Sequence, residues 1–464
     1  MIMEKNLWIL TEERPKQEVI IDILKIFARD NKLACFVDTI RILPILEDEK
    51  FRFLYEVVGF RCNKIGKIFV KSVSGFSSFV DFLVFYQENK PIQSDIPLYA
   101  IEETKTDDKE SRNTGVYQRA SKFVFVENYY PGIKKVMLYN LKIEQKEEPT
   151  ATYVFGTKLL LTIGVEILGK KLDEKIFKPF NSVDEIVALK KKIRHAHKGN
   201  VPILINKTDG KITVSGRLYK SDGLAHDPNI GALSLISAAI RKLGWIGEIV
   251  ITRHGLKQKH LQADNKFIKI ANQLKLQIRG LILSTSEMRE NYWRYETEGE
   301  KLGTIFIHLV VENFTEGFSI FENHAGCEKG YFMTSGGEYI QLEKYSDRVA
   351  YKAGDKDKII SIPDLILIDS GRSEVINVEG KKYQFCRDGI EELKSFYDIE
   401  KNYIKKYYPK YKIIRTVVLY GGTEKRVVEI KVGFLLNGNG DLVLGIKAPK
   451  LFRDAIKNLL DFWK

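Results

Sequence analysis

Apolar residues recur at three- and four-residue spacing over 17–29, which lines them along one side of a helix and predicts an amphipathic α-helix there. The segments 67–73, 79–86 and 98–104 carry β-branched and aromatic residues in alternating or continuous apolar runs, and each predicts a strand. A helix over 114–124 and a strand over 135–141 follow. In the middle of the chain, Asp227 and Pro228 supply an N-cap and a first helical residue for a helix that ends at Leu243, before Gly244. A buried strand over 248–252, a helix over 265–274 and a strand over 276–283 come next. The charged stretch 286–301 is the expected linker. Beyond it the pattern predicts strands over 362–368 and 374–378, a helix over 389–407, strands over 412–420, 427–436 and 442–446, and a closing helix from Leu451.

Strands and helices alternate throughout, which predicts an α/β fold. The two outer thirds share one order of elements, strand, strand, helix, strand, as an internal duplication would leave. The expected division is 1–194, a central α/β segment 195–300 for DNA recognition or as part of the first domain, and 301–464.

Composition narrows the partners. The 464 residues hold 74 Lys and Arg against 61 Asp and Glu, a net charge of +13 that favours polyanions. Cys35, Cys62, Cys327 and Cys386 show no C-x-x-C spacing, so reduced, buried thiols are expected and not a zinc site or a disulfide framework. His195 with His197, and His254 with His260, also lack zinc-site spacing. No window approaches the roughly 18 apolar residues of a membrane span, so a cytoplasmic protein is expected.

The sharpest chemistry lies in 362–381. Ile362-Pro363-Asp364-Leu365-Ile366-Leu367-Ile368-Asp369, a turn at 370–373 and the strand after it read as a β-hairpin. If Asp369 faces Glu374, then Asp364 faces Glu379, with Cβ atoms about 4.5 to 5.5 Å apart. Two carboxylates so close repel unless a cation lies between them. Glu379 and Lys381, two apart on a strand, share a face. The set suits Mg²⁺, with Mn²⁺ as the alternative, because a hard cation takes one or two carboxylates, waters and a phosphate oxygen. The expectation is a catalytic centre in which Asp364 and Glu379 hold the metal and Lys381 assists a water in phosphodiester hydrolysis.

Pro363-Asp364 with Glu379-Gly380-Lys381 resembles the motif of the PD-(D/E)xK nuclease superfamily, Gly380 standing at x. The resemblance implies a mixed sheet flanked by helices, a divalent metal and cleavage of DNA. A looser match lies in the first third. If Tyr86 faces Leu98, Asp81 faces Glu103, and Glu103-Thr104-Lys105 stands to Asp81 as Glu379-Gly380-Lys381 stands to Asp364. Here Val80 replaces the proline and Glu102 offers a rival carboxylate on the other face. The expected roles are metal ligation by Asp81 and Glu103 and assistance by Lys105. Ser111, Arg112, Asn113, Arg119 and Lys122 are expected on DNA phosphates, and Arg253, Lys257 and Gln258 on DNA after the 248–252 strand.

The fold expected is therefore α/β with two PD-(D/E)xK-like cores around a central segment. Such a pseudo-dimer, acting as a monomer or as a homo-oligomer, resembles a type II restriction endonuclease that cuts an asymmetric site in double-stranded DNA with one centre per strand. The rivals are a structure-specific repair, recombination or defence nuclease, and a DNA-binding protein with degenerate cores.

Overall fold

The computed structural model describes residues 5–47, 50–75, 79–104, 115–141, 149–193, 203–219, 227–261, 266–283, 291–296, 300–324, 330–342, 360–420, 433–436, 442–444 and 448–463. Across them the protein is mixed α/β, with mixed sheets flanked by helices. Two compact units interleave along the chain, one made of Met1–Val73, Gln87–Lys90 and Tyr295–Lys464, the other of Ser74–Tyr86 and Pro91–Arg294. They cut across the three contiguous segments expected from sequence. The first 73 residues group with the C-terminal part, and the central segment groups with the part that carries Asp81.

In the first unit, Lys5–Thr11 pairs in parallel with Ile65–Gly75, and Lys50–Cys62 is antiparallel to both Ile65–Gly75 and Cys35–Glu47. The 17–29 expectation is met by the helix Gln17–Asp30, whose buried face is Val19, Ile20, Ile23, Leu24, Ile26, Phe27 and Ala28. The hairpin sets Cys35 directly opposite Cys62. Cys35 is exposed, so the expectation of buried thiols fails there.

A six-stranded sheet of the same unit runs in the order Phe318–Glu322, Leu365–Asp369, Glu374–Lys382, Lys412–Tyr420, Gly433–Leu436, Leu442–Leu444. All five residues of Leu365–Asp369 are buried, as a strand covered on both faces requires. One cover is the helix Glu300–Phe314, which packs on Glu374–Lys382 and Lys412–Tyr420 and against the closing helix Lys450–Trp463. The other is a helical run over 386–407, whose Leu393, Phe396, Ile399 and Ile404 join Ile366, Ile368, Val417 and Leu419 in one core. The run is not the uniform helix expected. It tightens to 3₁₀ geometry at Leu393–Phe396 and widens into a π turn at Glu400–Ile404. Within that turn Glu400 accepts from Asn377 Nδ2 at 2.8 Å and twice from Arg415 at 2.7 Å, which locks the run onto the sheet.

In the second unit Phe82–Gln87 is antiparallel to Tyr99–Thr104, which pairs in parallel with Lys134–Tyr139, itself parallel to Val165–Leu168. The helices Gly115–Val126 and Ala151–Thr162 pack on Asp227–Lys242, an apolar helix of the central segment. That segment adds its own sheet, in the order Leu276–Ile278, Glu248–Thr252, Lys211–Ser215, Leu204–Thr208. Tyr292 and Trp293 are core residues: the Tyr292 hydroxyl accepts from Val80 N–H at 3.0 Å, and Trp293 Nε1 donates to the Tyr130 hydroxyl at 3.2 Å. The stretch expected as a linker thus contains a strand, Trp293–Tyr295, and the start of the helix Glu300–Phe314. No helix among the described residues is long and apolar enough to cross a membrane.

Candidate active centres

The hairpin of the first unit has the expected register: Asp369 faces Glu374 and Leu365 faces Val378. One step further along the ladder, Asp364 comes level with Glu379. Two backbone contacts fix Asp364. Its carbonyl accepts from Asn323 N–H at 2.7 Å, and its Oδ2 accepts from Gly380 N–H at 2.8 Å. Glu379 is 6 % exposed. Burial, and then the charge of Asp364, push its carboxyl well above the ordinary range.

Lys381 lies between two carboxylates, 2.8 Å from Glu379 and 2.6 Å from Glu392. Burial pulls its ammonium down, but its hydrogen bonds and charge contacts with Glu379 and Glu392 outweigh burial and keep it protonated. Glu392, on the helix Cys386–Glu392, was not among the residues expected from sequence. The same helix brings Gly389 against Lys381. A Cβ built on Gly389 would lie 2.8 Å from Lys381 Cγ and 3.0 Å from Val417 Cγ1, so a bare backbone at this position leaves room for the lysine stem.

The second unit has a comparable acidic pair, one residue out of the expected register. Phe82 faces Ile101 and Val84 faces Tyr99, so the ladder sets Asp81 level with Glu102 and not with Glu103. A one-residue slip exchanges the two faces of a strand, and here it exchanges the two glutamates. Asp81 Oδ2 accepts from Glu103 N–H at 2.7 Å, while the Glu103 carboxylate accepts from Asn140 Nδ2 at 3.1 Å. Glu102, 1 % exposed, accepts from Asp81 N–H at 3.2 Å.

A lysine joins this pair from a helix. Lys122, on Gly115–Val126, lies 3.0 Å from Asp81 and 2.7 Å from Glu102. Against the downward pull of burial, those two charges raise its pKa above the usual lysine range, so it stays an ammonium. The structure thus places the Nζ of this residue, expected on a DNA phosphate, between two carboxylates. At the strand position matching Lys381, two residues after the glutamate, stands buried Thr104. One unit therefore takes its lysine from the strand, and the other takes it from a helix and has a threonine at the matching strand position.

Lys105, Ser111, Arg112 and Asn113 lie outside the described residues, as does the side chain of Arg119. Arg253 and Lys257 are exposed in the loop after Glu248–Thr252. Gln258 is exposed as well, but its amide is held by the backbone of Ile282, donating at 3.0 Å and accepting at 3.3 Å. His254 accepts from Leu256 N–H, and His260 accepts from Lys257 N–H and stacks on Tyr219.

One more polar cluster was absent from the sequence reading. His308, Glu312, Glu322 and His324 meet Arg14 and Lys16 within the first unit. Glu322 pairs with Leu365, the neighbour of Asp364, and so points to the sheet face opposite the carboxylate centre. The signal available in sequence was His308 and Glu312 at i, i+4 in a largely apolar helix.

No protein-family model, no curated protein and no solved structure matches this chain.

Proposed function

We propose that the protein is a divalent-metal-dependent endonuclease acting on double-stranded DNA, with one catalytic centre in each unit. The observation that carries the reading is the repeated construction of the two centres: an aspartate and a glutamate level on neighbouring antiparallel strands, the aspartate accepting from the N–H that follows the glutamate, and a lysine bonded to the glutamate. The resemblance to the PD-(D/E)xK superfamily and the charge of +13 agree with it.

The donor set fits a hard dication. Asp364 and Glu379 are all-oxygen ligands, and the upward push on Glu379, from burial first and then from the charge of Asp364, disfavours the ionised form in a way that a cation relieves. Asp81 and Glu102 would hold the ion of the other centre. Bound there, Mg²⁺ or Mn²⁺ supplies a more acidic water and offsets charge on the phosphorane. Lys381 and Lys122, fixed as ammonium groups, orient the attacking water and stabilise the negative charge that develops on the phosphate oxygens. Gly380 and Glu103, through their N–H groups, hold the aspartates in place.

Two non-identical centres in one chain suit the two strands of an asymmetric sequence, as in a type II restriction enzyme. Supercoiled plasmid incubated with Mg²⁺ and the full chain, followed by sequencing of the ends, tests this. Discrete linear fragments are expected. Recovery of intact plasmid at all metal concentrations overturns the reading, and cleavage confined to branched or flapped DNA replaces sequence by structure as the target.

A further inference from the structure

The cluster on the far face of the six-stranded sheet sets two imidazole nitrogens face to face, an arrangement that a shared cation satisfies. His308 Nε2 lies 2.9 Å from Glu312 Oε1. Glu312 is also ion-paired with Arg14 at 2.8 Å. An ionised carboxylate only accepts, so His308 Nε2 carries the hydrogen. His324 Nδ1 lies 3.0 Å from Thr304 Oγ1, and that hydroxyl gives its own hydrogen to the Lys301 carbonyl at 2.9 Å. His324 Nδ1 therefore carries a hydrogen too.

The remaining ring nitrogens, His308 Nδ1 and His324 Nε2, are 3.0 Å apart. In neutral rings each presents a lone pair, and the lone pairs face one another. Glu322 Oε2 stands 3.8 Å from His308 Nδ1, and one ligand atom from each of His308, Glu322 and His324 falls within 4.8 Å of the others.

We propose that His308 Nδ1, His324 Nε2 and Glu322 form a transition-metal site, for Zn²⁺ or a dication of similar ligand preference. Two imidazoles and one carboxylate are donors for such ions, whereas the all-oxygen pair Asp364 and Glu379 suits Mg²⁺. The outer contacts are those of a metal site: Glu312 and Thr304 fix the tautomer and plane of each ring. Arg14 and Lys16 hold Glu322 at 2.8 and 3.1 Å, their charges balanced by Glu312 and Glu322. The ion pins the helix Glu300–Phe314 to the end of the strand Phe318–Glu322, behind the sheet face that carries Asp364. Its role is structural, and it does not depend on nuclease activity.

The test uses the full chain, stripped by a chelator and titrated with Co²⁺ in the wild type and in an Asp81→Asn, Asp364→Asn double variant that keeps the histidines. Expected in both is one equivalent bound with intense visible bands of a low-coordinate, nitrogen-ligated ion, displaced by Zn²⁺, and a Tm several degrees higher with Zn²⁺ bound. His324→Gln should lose the bands. Should that variant fail to fold, X-ray absorption on the Zn²⁺-loaded double variant decides, with two imidazole ligands expected. An all-oxygen shell, or no tight binding by the double variant, overturns the proposal and leaves a proton shared between the two rings.

Discussion

The backbone N–H of Glu103 donates to Asp81 Oδ2 at 2.7 Å, as that of Gly380 donates to Asp364 Oδ2 at 2.8 Å. The pair of bonds aligns Glu103 with Gly380 and therefore Glu102 with Glu379. Glu102→Gln is expected to abolish cleavage by its centre, a loss of at least about 100-fold, leaving plasmid nicked in the strand served by Asp364 and Glu379. Glu103→Gln keeps its N–H and the acidic pair, so double-strand cleavage should persist, with a stability cost of about 1 kcal/mol for the altered bond to Asn140. Strand-specific primer extension on the products reads both. The reverse pattern would sink the alignment of the two centres.

Lysines from different elements make a second comparison. Under the proposed function, Lys122→Ala and Lys381→Ala should each reduce double-strand cleavage to nicking, on opposite strands, with a loss at the altered centre on the order of 10² to 10³. Lys122→Ala also removes the ammonium that separates Asp81 from Glu102. Its centre should then bind Mg²⁺ no more weakly than the wild type, while the stability of the metal-free chain falls. Calorimetric titration together with thermal unfolding, with and without Mg²⁺, checks the split. Weaker metal binding by Lys122→Ala would mean that the lysine supports the ligands and does not substitute for the ion.

Much of the first-unit centre was legible in sequence because a hairpin is local. Its turn fixes its register, and Asp364 and Glu379 then follow by counting. The same counting failed at Asp81 because 87–97 is a long connection whose conformation does not dictate register, and there one residue separates Glu102 from Glu103. Lys122 reads in sequence only as a basic residue suited to phosphate, since a side chain that reaches back from a helix to a strand leaves no spacing rule. His308 and His324 were missed for a similar reason: they are sixteen residues apart and meet only because the helix Glu300–Phe314 folds back on the strand after it. The interleaving of the two units is equally invisible to a pattern read one window at a time.

Gly389 offers a prediction at the motif lysine without touching it. A methyl group there meets Lys381 Cγ at 2.8 Å and Val417 Cγ1 at 3.0 Å, and the valine belongs to the packed core. The lysine is the part that can move. Gly389→Ala should therefore lower the turnover of that centre while leaving metal binding by Asp364 and Glu379 close to the wild-type value. Single-turnover kinetics in an Glu102→Gln background, where only this centre cuts, measures the effect. Unchanged turnover would show that Lys381 need not keep its observed position.

The raised carboxyl of Glu379 sets a pH dependence for metal binding. Its folded pKa lies above the ordinary value of 4.5, so between the two the folded chain holds a proton that the unfolded chain has lost. That contribution to stability is present at low pH and is lost as pH rises through the folded value. A dication needs the ionised carboxylate and must displace the proton, so affinity should climb with pH until Glu379 has titrated. Titrations of the Glu102→Gln variant in buffers of different ionisation enthalpy should register proton release on metal binding. A pH-independent affinity with no proton released would remove Glu379 from the ligand set.

Glu312 runs in the opposite sense. Burial alone would raise it, but Arg14 and His308 hold it down at about 2, below its ordinary 4.5. A depressed carboxylate stabilises the fold at pH values above its unfolded pKa, and that stability disappears as pH falls from about 4.5 toward 2. The difference corresponds to something on the order of 3 kcal/mol, one pKa unit being about 1.4 kcal/mol. Glu312→Gln removes the charge facing Arg14, and so should lower stability at neutral pH by a comparable amount and flatten the acid limb of the profile. Denaturant unfolding of wild type and variant across pH 2 to 7 provides the comparison. Parallel profiles, offset by a constant at every pH, would place the acid sensitivity of the fold elsewhere.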